Sequence, residues 1–338
     1  MTSREPVANI GAEAGTAAAQ ASAEAQALAH AWLDLFAPPA FDWLATPARH
    51  AWLADDAAQG AAGELDAPAP EIVRCVNDKA FTCSHARERA LCPALIRSLV
   101  EVLSPEDCVD PDFAARIAGR LEAWPAWTGQ NFTLTPRLGT AGRGRVSRLS
   151  EIPGAAKRLA RAGGAILEPW LERTHDLSVQ LYISRAGELE VLGSTDLLTS
   201  PPGVAQGVAG RIADDGRSRS HSEHDDATRT AALQLAQAAH NSGYFGPCGV
   251  DAFEFRGPEG QELRPLVELN ARFTMGTVAL GQISRARPSA GRAFVFLPLA
   301  EVEAARAFEH NVLGPIQNGR APVIAFSSQA DELLARLR

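Results

Sequence analysis

Three polar residues near position 268 have the types and the spacing of a cation site. Glu268, Asn270 and Arg272, in the segment RPLVELNAR, share one face of a predicted strand because side chains alternate along a strand. A turn centred between residues 259 and 260 would pair Asp251, on the preceding strand GVDAFEF, with Glu268. Neighbouring carboxylates in a core repel each other unless a cation compensates them. Their oxygens and the Asn270 carbonyl suit Mg²⁺. The sequence therefore predicts a magnesium site, with a solvated edge hairpin as the alternative.

A second group of residues could hold phosphate. The segment TPRLGTAGRGRV, residues 135–146, follows a predicted strand and contains Gly142 and Gly144. Glycines let backbone amides close over phosphate oxygens, and Arg137 adds a charge that can bind them. An ordinary glycine-rich hairpin turn is the alternative. Lys79 is one of only two lysines in the chain.

The segment GYFGPCGVDAF…PLVELNARFTMG, residues 243–276, resembles the metal-binding segment of the ATP-grasp superfamily. The resemblance extends over about residues 71–285. It implies an α+β fold in which two α+β subdomains grip the nucleotide, here behind a shortened helical N-terminal region. It also implies an ATP-dependent carboxylate–amine ligase that forms an amide or peptide bond through an acyl phosphate.

The resemblance assigns roles to individual residues. Asp251, Glu268 and Asn270 would hold two Mg²⁺ ions on the ATP phosphates, and Arg272 would stabilise the transferring phosphoryl group. Arg211 could pair with the acceptor substrate. The residues expected to contact ATP, with Glu168, Pro169 and Leu171 around adenine and Asp176 at the ribose, are Lys79, Arg137, Gly142, Gly144, Glu168, Pro169, Leu171 and Asp176.

One departure from the family pattern concerns the strand that enters the glycine loop. The family usually carries a phosphate-binding lysine there, whereas this sequence has Thr135. Arg137 lies two residues further along the same side of the segment, so we expect it to replace the lysine. The same departure keeps a second hypothesis open, a non-catalytic ATP-binding accessory protein of the same fold.

The order of these elements predicts the organisation of the chain. Residues 71–81 read as a strand followed by a helix, and Asp226 as the N-cap of a later helix. His221 and His224 read as part of a solvated loop and not as zinc ligands. The predicted divisions are a disordered or weakly helical tail (1–28), a short helical N-terminal region and linker (29–70), the first part of the ATP-grasp core (71–130), a lid subdomain (131–185) and a C-terminal subdomain with the metal hairpin (186–338).

Composition limits the class of protein and its partners. The 338 residues carry a net charge of −8, which argues against binding nucleic acid through its phosphates. No apolar run is long enough to span a membrane. Five cysteines without a CxxC pair predict free thiols and a cytoplasmic location. The expected partners are small carboxylate and amine substrates, with amino acids and peptides among the candidates, and a homodimer is left open.

Overall fold

A computed structural model describes residues 41–44, 53–54, 66–139, 144–199, 205–298, 310–312 and 322–327. The predicted tail and most of the predicted N-terminal region lie outside these residues. Helices α1 to α8 span Pro70–Asn77, Lys79–Glu88, Ala94–Arg97, Pro105–Val109, Phe113–Glu122, Ile152–Arg161, Asp225–Asn241 and Met275–Ala286. Strands β1 to β12 span Glu101–Leu103, Phe132–Pro136, Ala165–Pro169, Arg173–Ile183, Leu189–Thr199, Ala205–Ile212, Ser218–Arg219, Gly246–Gly257, Gly260–Asn270, Ala293–Pro298, His310–Val312 and Pro322–Ser327.

A small antiparallel sheet with strand order β1-β3-β2 forms one subdomain, residues 101–169. Its buried apolar side chains make a core of their own with α4, α5 and α6, including Leu103, Phe113 and Leu134. The subdomain starts at residue 101 and not at 131, because β1 pairs with β3. It ends before β4, which pairs with β8 in the large sheet. We call this unit the lid subdomain.

The large sheet of the described residues has nine antiparallel strands in the order β11-β12-β10-β6-β5-β4-β8-β9, with β7 paired to β6. Its front face carries Ser178, Asp251 and Glu268, which lie directly opposite one another on three adjacent strands. The back face carries Val179 and Leu181, which pack with the apolar residues of α7. Helix α8 begins on the front face. The front face is therefore polar at β4, β8 and β9, whereas α8 packs on its apolar part, which includes Val208 and Phe294. Helix α7 covers the back face.

Residues 70–77 form a helix, so the predicted strand at this position is wrong. Ile72, Val73 and Val76 are spaced as one helical stripe, and Val73 and Val76 are buried. Pro70 occupies the first turn, where the missing N–H costs nothing. Asp78 then caps α2 by accepting from the Ala80 amide at 2.9 Å. The sequence ND before Lys79 therefore marks the boundary between two helices.

Two further predictions concern helix α7 and the cysteines. Helix α7 starts at Asp225 with His224 as its N-cap, so the predicted cap at Asp226 is wrong by two positions. Gly243, with φ +93°, follows its last turn, where a positive φ favours glycine. All five cysteines are free thiols. Within the described ranges no helix is long and apolar enough to cross a membrane.

Candidate active site

The hairpin of β8 and β9 pairs Asp251 with Glu268, as predicted. The predicted turn position is wrong, because Gly257 pairs with Gly260 and the turn residues are 258–259. If β8 and β9 kept the register that they have beside the turn, residue 266 would lie opposite Asp251. A β-bulge corrects the register, since residues 265–267 of β9 lie opposite a single residue of β8. Pro265 has no N–H for the ladder, which explains why the bulge occurs there.

The carboxylates of Asp251 and Glu268 are like charges held on neighbouring strands. Burial and the neighbouring Glu268 carboxylate raise the pKa of Asp251 to about 6. Asp251 accepts hydrogen bonds from Ser178 Oγ at 2.7 Å and from Asn270 Nδ2 at 3.0 Å. Arg272 Nη2 donates to Asn270 Oδ1 at 3.0 Å. The four residues predicted around the cation therefore form one connected cluster on the front face.

Lys79 brings a positive charge to this cluster from the start of α2. Its Nζ lies 3.0 Å from Glu268 Oε2 and donates to the Gly139 carbonyl at 3.2 Å. Helices α1 and α2 are fixed beside the hairpin because backbone amides at the end of β9 donate to the Asn77 and Thr82 side chains. Lys79 therefore connects the glycine segment of the lid subdomain to the carboxylate pair.

A chain of buried hydrogen bonds leads from the start of α8 to Asp251. Thr274 Oγ1 donates to Gln180 Oε1 at 2.6 Å, and Gln180 Nε2 donates to Ser178 Oγ at 2.8 Å. A Cβ at Gly276 would lie 2.7 Å from the Gln180 amide, so only glycine leaves room for this side chain. Ser178 then donates to Asp251. Sequence reasoning missed Ser178 and Gln180, although alternation along DLSVQL places both on the front face.

Arg137, the expected substitute for the lysine, makes an ion pair within the protein. Its Nε and Nη2 donate to the two Asp78 carboxylate oxygens at 3.0 Å and 2.6 Å. Such bidentate pairs are strong and geometrically specific. The Asp78 side chain also caps α2. Arg137 therefore fastens the lid subdomain to α2, which does not support the phosphate role predicted for it.

The two carboxylates predicted near the adenosine are also paired. Glu168 Oε2 accepts from Arg264 Nη1 at 2.5 Å, and both residues are buried. Asp176 accepts from Arg173 at 2.9 Å and from Thr199 Oγ1 at 2.9 Å. Sequence reasoning missed both arginine partners. Arg264 lies 96 positions from Glu168 and is brought to it by the tertiary fold, whereas Arg173 is only three positions from Asp176 on β4.

The remaining predicted residues are scattered. Pro169 ends β3, and Leu171 is buried in the core of the large sheet. Gly144 has φ +77°, which favours glycine, whereas Gly142 lies outside the described residues. Arg211 is exposed. It lies on the same face of β6 as Ala209, which pairs with the back-face residue Asp196. Its position on the back face does not support contact with a substrate at the front.

The segment around His221 and His224 is not a solvated loop, contrary to the sequence interpretation. On the back face, Asp196 lies between His175 Nε2 at 2.7 Å and His221 Nδ1 at 2.5 Å. His224 Nδ1 lies 3.0 Å from the buried Glu254 carboxylate. Among the described residues no group has a metal-binding arrangement of His, Cys, Asp and Glu. The cluster therefore fastens the start of α7 to the sheet.

Asp196→Asn is expected to lower the free energy of unfolding by about 2 kcal/mol at pH 5. Hydrogen bonds from His175 and His221 outweigh the burial of Asp196 and lower its pKa from 3.8 to about 2. The ionised carboxylate therefore stabilises the fold above about pH 4, and this contribution is lost as the pH falls toward 2. Urea denaturation should show the difference shrinking to about 1 kcal/mol at pH 3. A difference that stays constant between pH 5 and pH 3 would contradict this account.

Comparison with known proteins gives matches in structure only. No protein-family model and no curated protein matches the chain. The fold is similar to the biotin carboxylase domain of Hydrogenobacter thermophilus 2-oxoglutarate carboxylase, solved with MgADP, ADP and bicarbonate. That match has 14% identity, a TM-score of 0.50 and coverage of 78% of this chain and 64% of the other. N5-carboxyaminoimidazole synthase from Aspergillus clavatus, solved with ADP and 5-aminoimidazole ribonucleotide, gives 16% identity, a TM-score of 0.53 and coverage of 83% and 76%. N5-carboxyaminoimidazole synthetase from Staphylococcus aureus, solved with ADP, gives 10% identity, a TM-score of 0.52 and coverage of 81% of this chain and 75% of the other.

These solved structures are ATP-grasp proteins. The chain has the ATP-grasp fold. The α+β architecture expected from residues 243–276 is thereby confirmed, with the lid subdomain and the large sheet as its two parts. The chain spans 64% of the length of the Hydrogenobacter domain. At 10–16% identity the likeness concerns the fold, and any activity must be argued from the residues of this chain.

Proposed function

We propose that the protein is an ATP-dependent carboxylate–amine ligase that uses ATP and two Mg²⁺ ions. The observation that carries the proposal is the front-face cluster in an ATP-grasp fold, where Asp251, Glu268, Asn270, Arg272 and Lys79 meet. Structures of this fold have been solved with ATP and with ADP bound. The free thiols support the predicted cytoplasmic location for this reaction.

The cluster fits magnesium by its chemistry. Asp251 and Glu268 supply hard carboxylate oxygens and Asn270 an amide oxygen, the donors that Mg²⁺ prefers alongside phosphate. Burial and the Glu268 carboxylate both raise the pKa of Asp251, and a divalent cation would stabilise the ionised carboxylates against both effects. When bound, Mg²⁺ would neutralise charge on the ATP phosphates.

The proposed reaction has two steps. A carboxylate oxygen of the acid substrate attacks the γ-phosphorus of ATP, and the bond to ADP breaks, giving an acyl phosphate. The amine nitrogen then attacks the acyl carbon, phosphate leaves, and the nitrogen loses a proton. Lys79 and Arg272 supply fixed positive charge beside the carboxylate pair, where negative charge develops. The candidate substrates are amino acids, peptides or other small acids.

Release of ADP in the presence of pooled substrates tests the proposal. The purified protein would be incubated with ATP, Mg²⁺ and pools of carboxylates and amines, including amino acids and bicarbonate. We expect one pool to stimulate release of ADP and phosphate, and mass spectrometry to identify the amide. With the acid labelled by ¹⁸O in its carboxylate, one labelled oxygen should appear in the released phosphate, because the acyl phosphate passes that atom on.

The outcomes separate the two functional hypotheses. ATP binding without turnover in any pool would favour the non-catalytic accessory protein. Turnover that leaves no ¹⁸O in the phosphate would contradict the acyl phosphate route. Absence of ATP binding would contradict both hypotheses.

A further inference from the structure

We propose that Arg145 is the lid residue that binds the phosphates of the nucleotide. It would replace the lysine that the family usually carries at the position of Thr135. This inference rests on the proposed function, because it takes the cleft between the lid subdomain and the large sheet as the nucleotide site. It also replaces the sequence-based expectation that Arg137 performs this role.

Strand geometry directs Arg145 into the cleft. Leu134 and Val146 form an antiparallel bridge, with hydrogen bonds of 2.8 Å and 3.0 Å between their backbones. The neighbouring residues, Thr135 and Arg145, are therefore opposite each other, and opposite residues point to the same side. Leu134 faces the core of the lid subdomain. Thr135 and Arg145 consequently face away from that core, toward the large sheet.

Arg145 is a partly buried charged group that packs against residues close to the large sheet. Its guanidinium lies 4.6 Å from the centroid of the Trp170 ring, a cation–π contact that orients the side chain. Burial and the nearby Arg173 lower its pKa, whereas Glu168 and Glu268 act in the opposite direction. Arginine remains charged in proteins despite such shifts.

The position of Arg145 suggests which part of a nucleotide it meets. It is close enough to interact electrostatically with Glu168 and Asp176, predicted around the adenosine, and also with Glu268, predicted at the metal. The phosphates join these two ends of ATP. A guanidinium within electrostatic reach of both groups can form charge-assisted hydrogen bonds to phosphate oxygens.

The guanidinium of Arg137 is not available for phosphate in the same way. Both carboxylate oxygens of Asp78 hold its guanidinium, so binding phosphate would require breaking a bidentate ion pair. Its backbone carbonyl also accepts from the Lys79 amide at 3.2 Å. Arg137 therefore fixes the relation between lid and α2, and Arg145 supplies the charge.

Calorimetry on matched arginine variants tests the inference. The ligands are a non-hydrolysable ATP analogue with Mg²⁺ and, separately, adenosine. Arg145→Gln should weaken binding of the analogue by roughly 10- to 100-fold, the value of a charge-assisted hydrogen bond. Its affinity for adenosine should match the parent, and Arg145→Lys should recover part of the loss. Arg148→Ala is the control, because that lid arginine is 77% exposed in its side chain.

The results discriminate between this inference and the proposed function. If the parent protein binds the analogue and Arg145→Gln binds it within twofold, Arg145 has no phosphate role. An equal loss of affinity for adenosine would place Arg145 at the base instead and would also overturn the inference. A larger loss of affinity for the analogue from Arg137→Ala than from Arg145→Gln, with affinity for adenosine unchanged, would overturn the inference and restore the sequence-based assignment. A parent protein that binds neither ligand would contradict the proposed function itself.

Discussion

Glu268→Gln is expected to reduce ATP turnover at least about 1000-fold while the protein stays folded. The amide keeps the shape and the hydrogen-bonding capacity of the carboxylate but removes its charge from the metal site. The Glu268 side chain lies 3.0 Å from Lys79 and is 21% exposed, so loss of its charge should disturb packing little. Turnover of ATP would be measured at saturating Mg²⁺, with circular dichroism as the check on folding.

The matched control is Glu262→Gln on the same strand. Glu262 pairs with Phe255 near the turn of the hairpin, far along β9 from the carboxylate pair. The same loss of one charge at this end should leave turnover within about twofold, since the effects of distant surface charges are screened. Near-normal turnover in Glu268→Gln, or an equal loss in both variants, would contradict the assignment of Glu268 to the metal.

Arg264→Met is expected to lower the free energy of unfolding by about 3 to 5 kcal/mol. Arg264 is 4% exposed and Glu168 is 8% exposed, and their side chains form a direct ion pair. Removing the guanidinium leaves a buried carboxylate without a partner. Replacing both residues, as Arg264→Met with Glu168→Leu, should recover most of the loss, because no unpaired charge then remains. Urea denaturation would measure both variants.

An exposed ion pair nearby provides the comparison. Arg256 and Glu172 are 68% and 67% exposed in their side chains and lie 3.2 Å apart. Arg256→Met should change the free energy of unfolding by less than about 1 kcal/mol, as is usual for surface pairs. If Arg264→Met costs no more than Arg256→Met, the buried pair does not stabilise the link between lid and sheet.

The parts of the site that the sequence predicts are those set by local geometry. Alternation along β9 placed Glu268 and Asn270 together, and hairpin register brought Asp251 to them. Arg272, which the sequence placed on the same strand, lies in a bend beyond the end of β9 and reaches Asn270 through a hydrogen bond. The turn position was missed because the bulge at Pro265 was not recognised, although a proline inside a predicted strand is a signal for one.

The parts that sequence reasoning missed depend on contacts between distant segments. The Asp78–Arg137 pair joins residues 59 positions apart, and the Glu168–Arg264 pair joins residues 96 positions apart. Each fixes the direction of a side chain whose residue type alone suggested contact with ATP. Spacing along the chain indicates which side a residue faces within its strand, but not which neighbour the tertiary fold brings to it.

The bulge in β9 also affects how this chain can be aligned with distant proteins of its fold. The three residues 265–267 occupy the place of one, so the distance along the chain from the turn to Glu268 is two residues longer than in a plain hairpin. An alignment without a two-residue gap here will match either the turn or the carboxylates correctly, but not both.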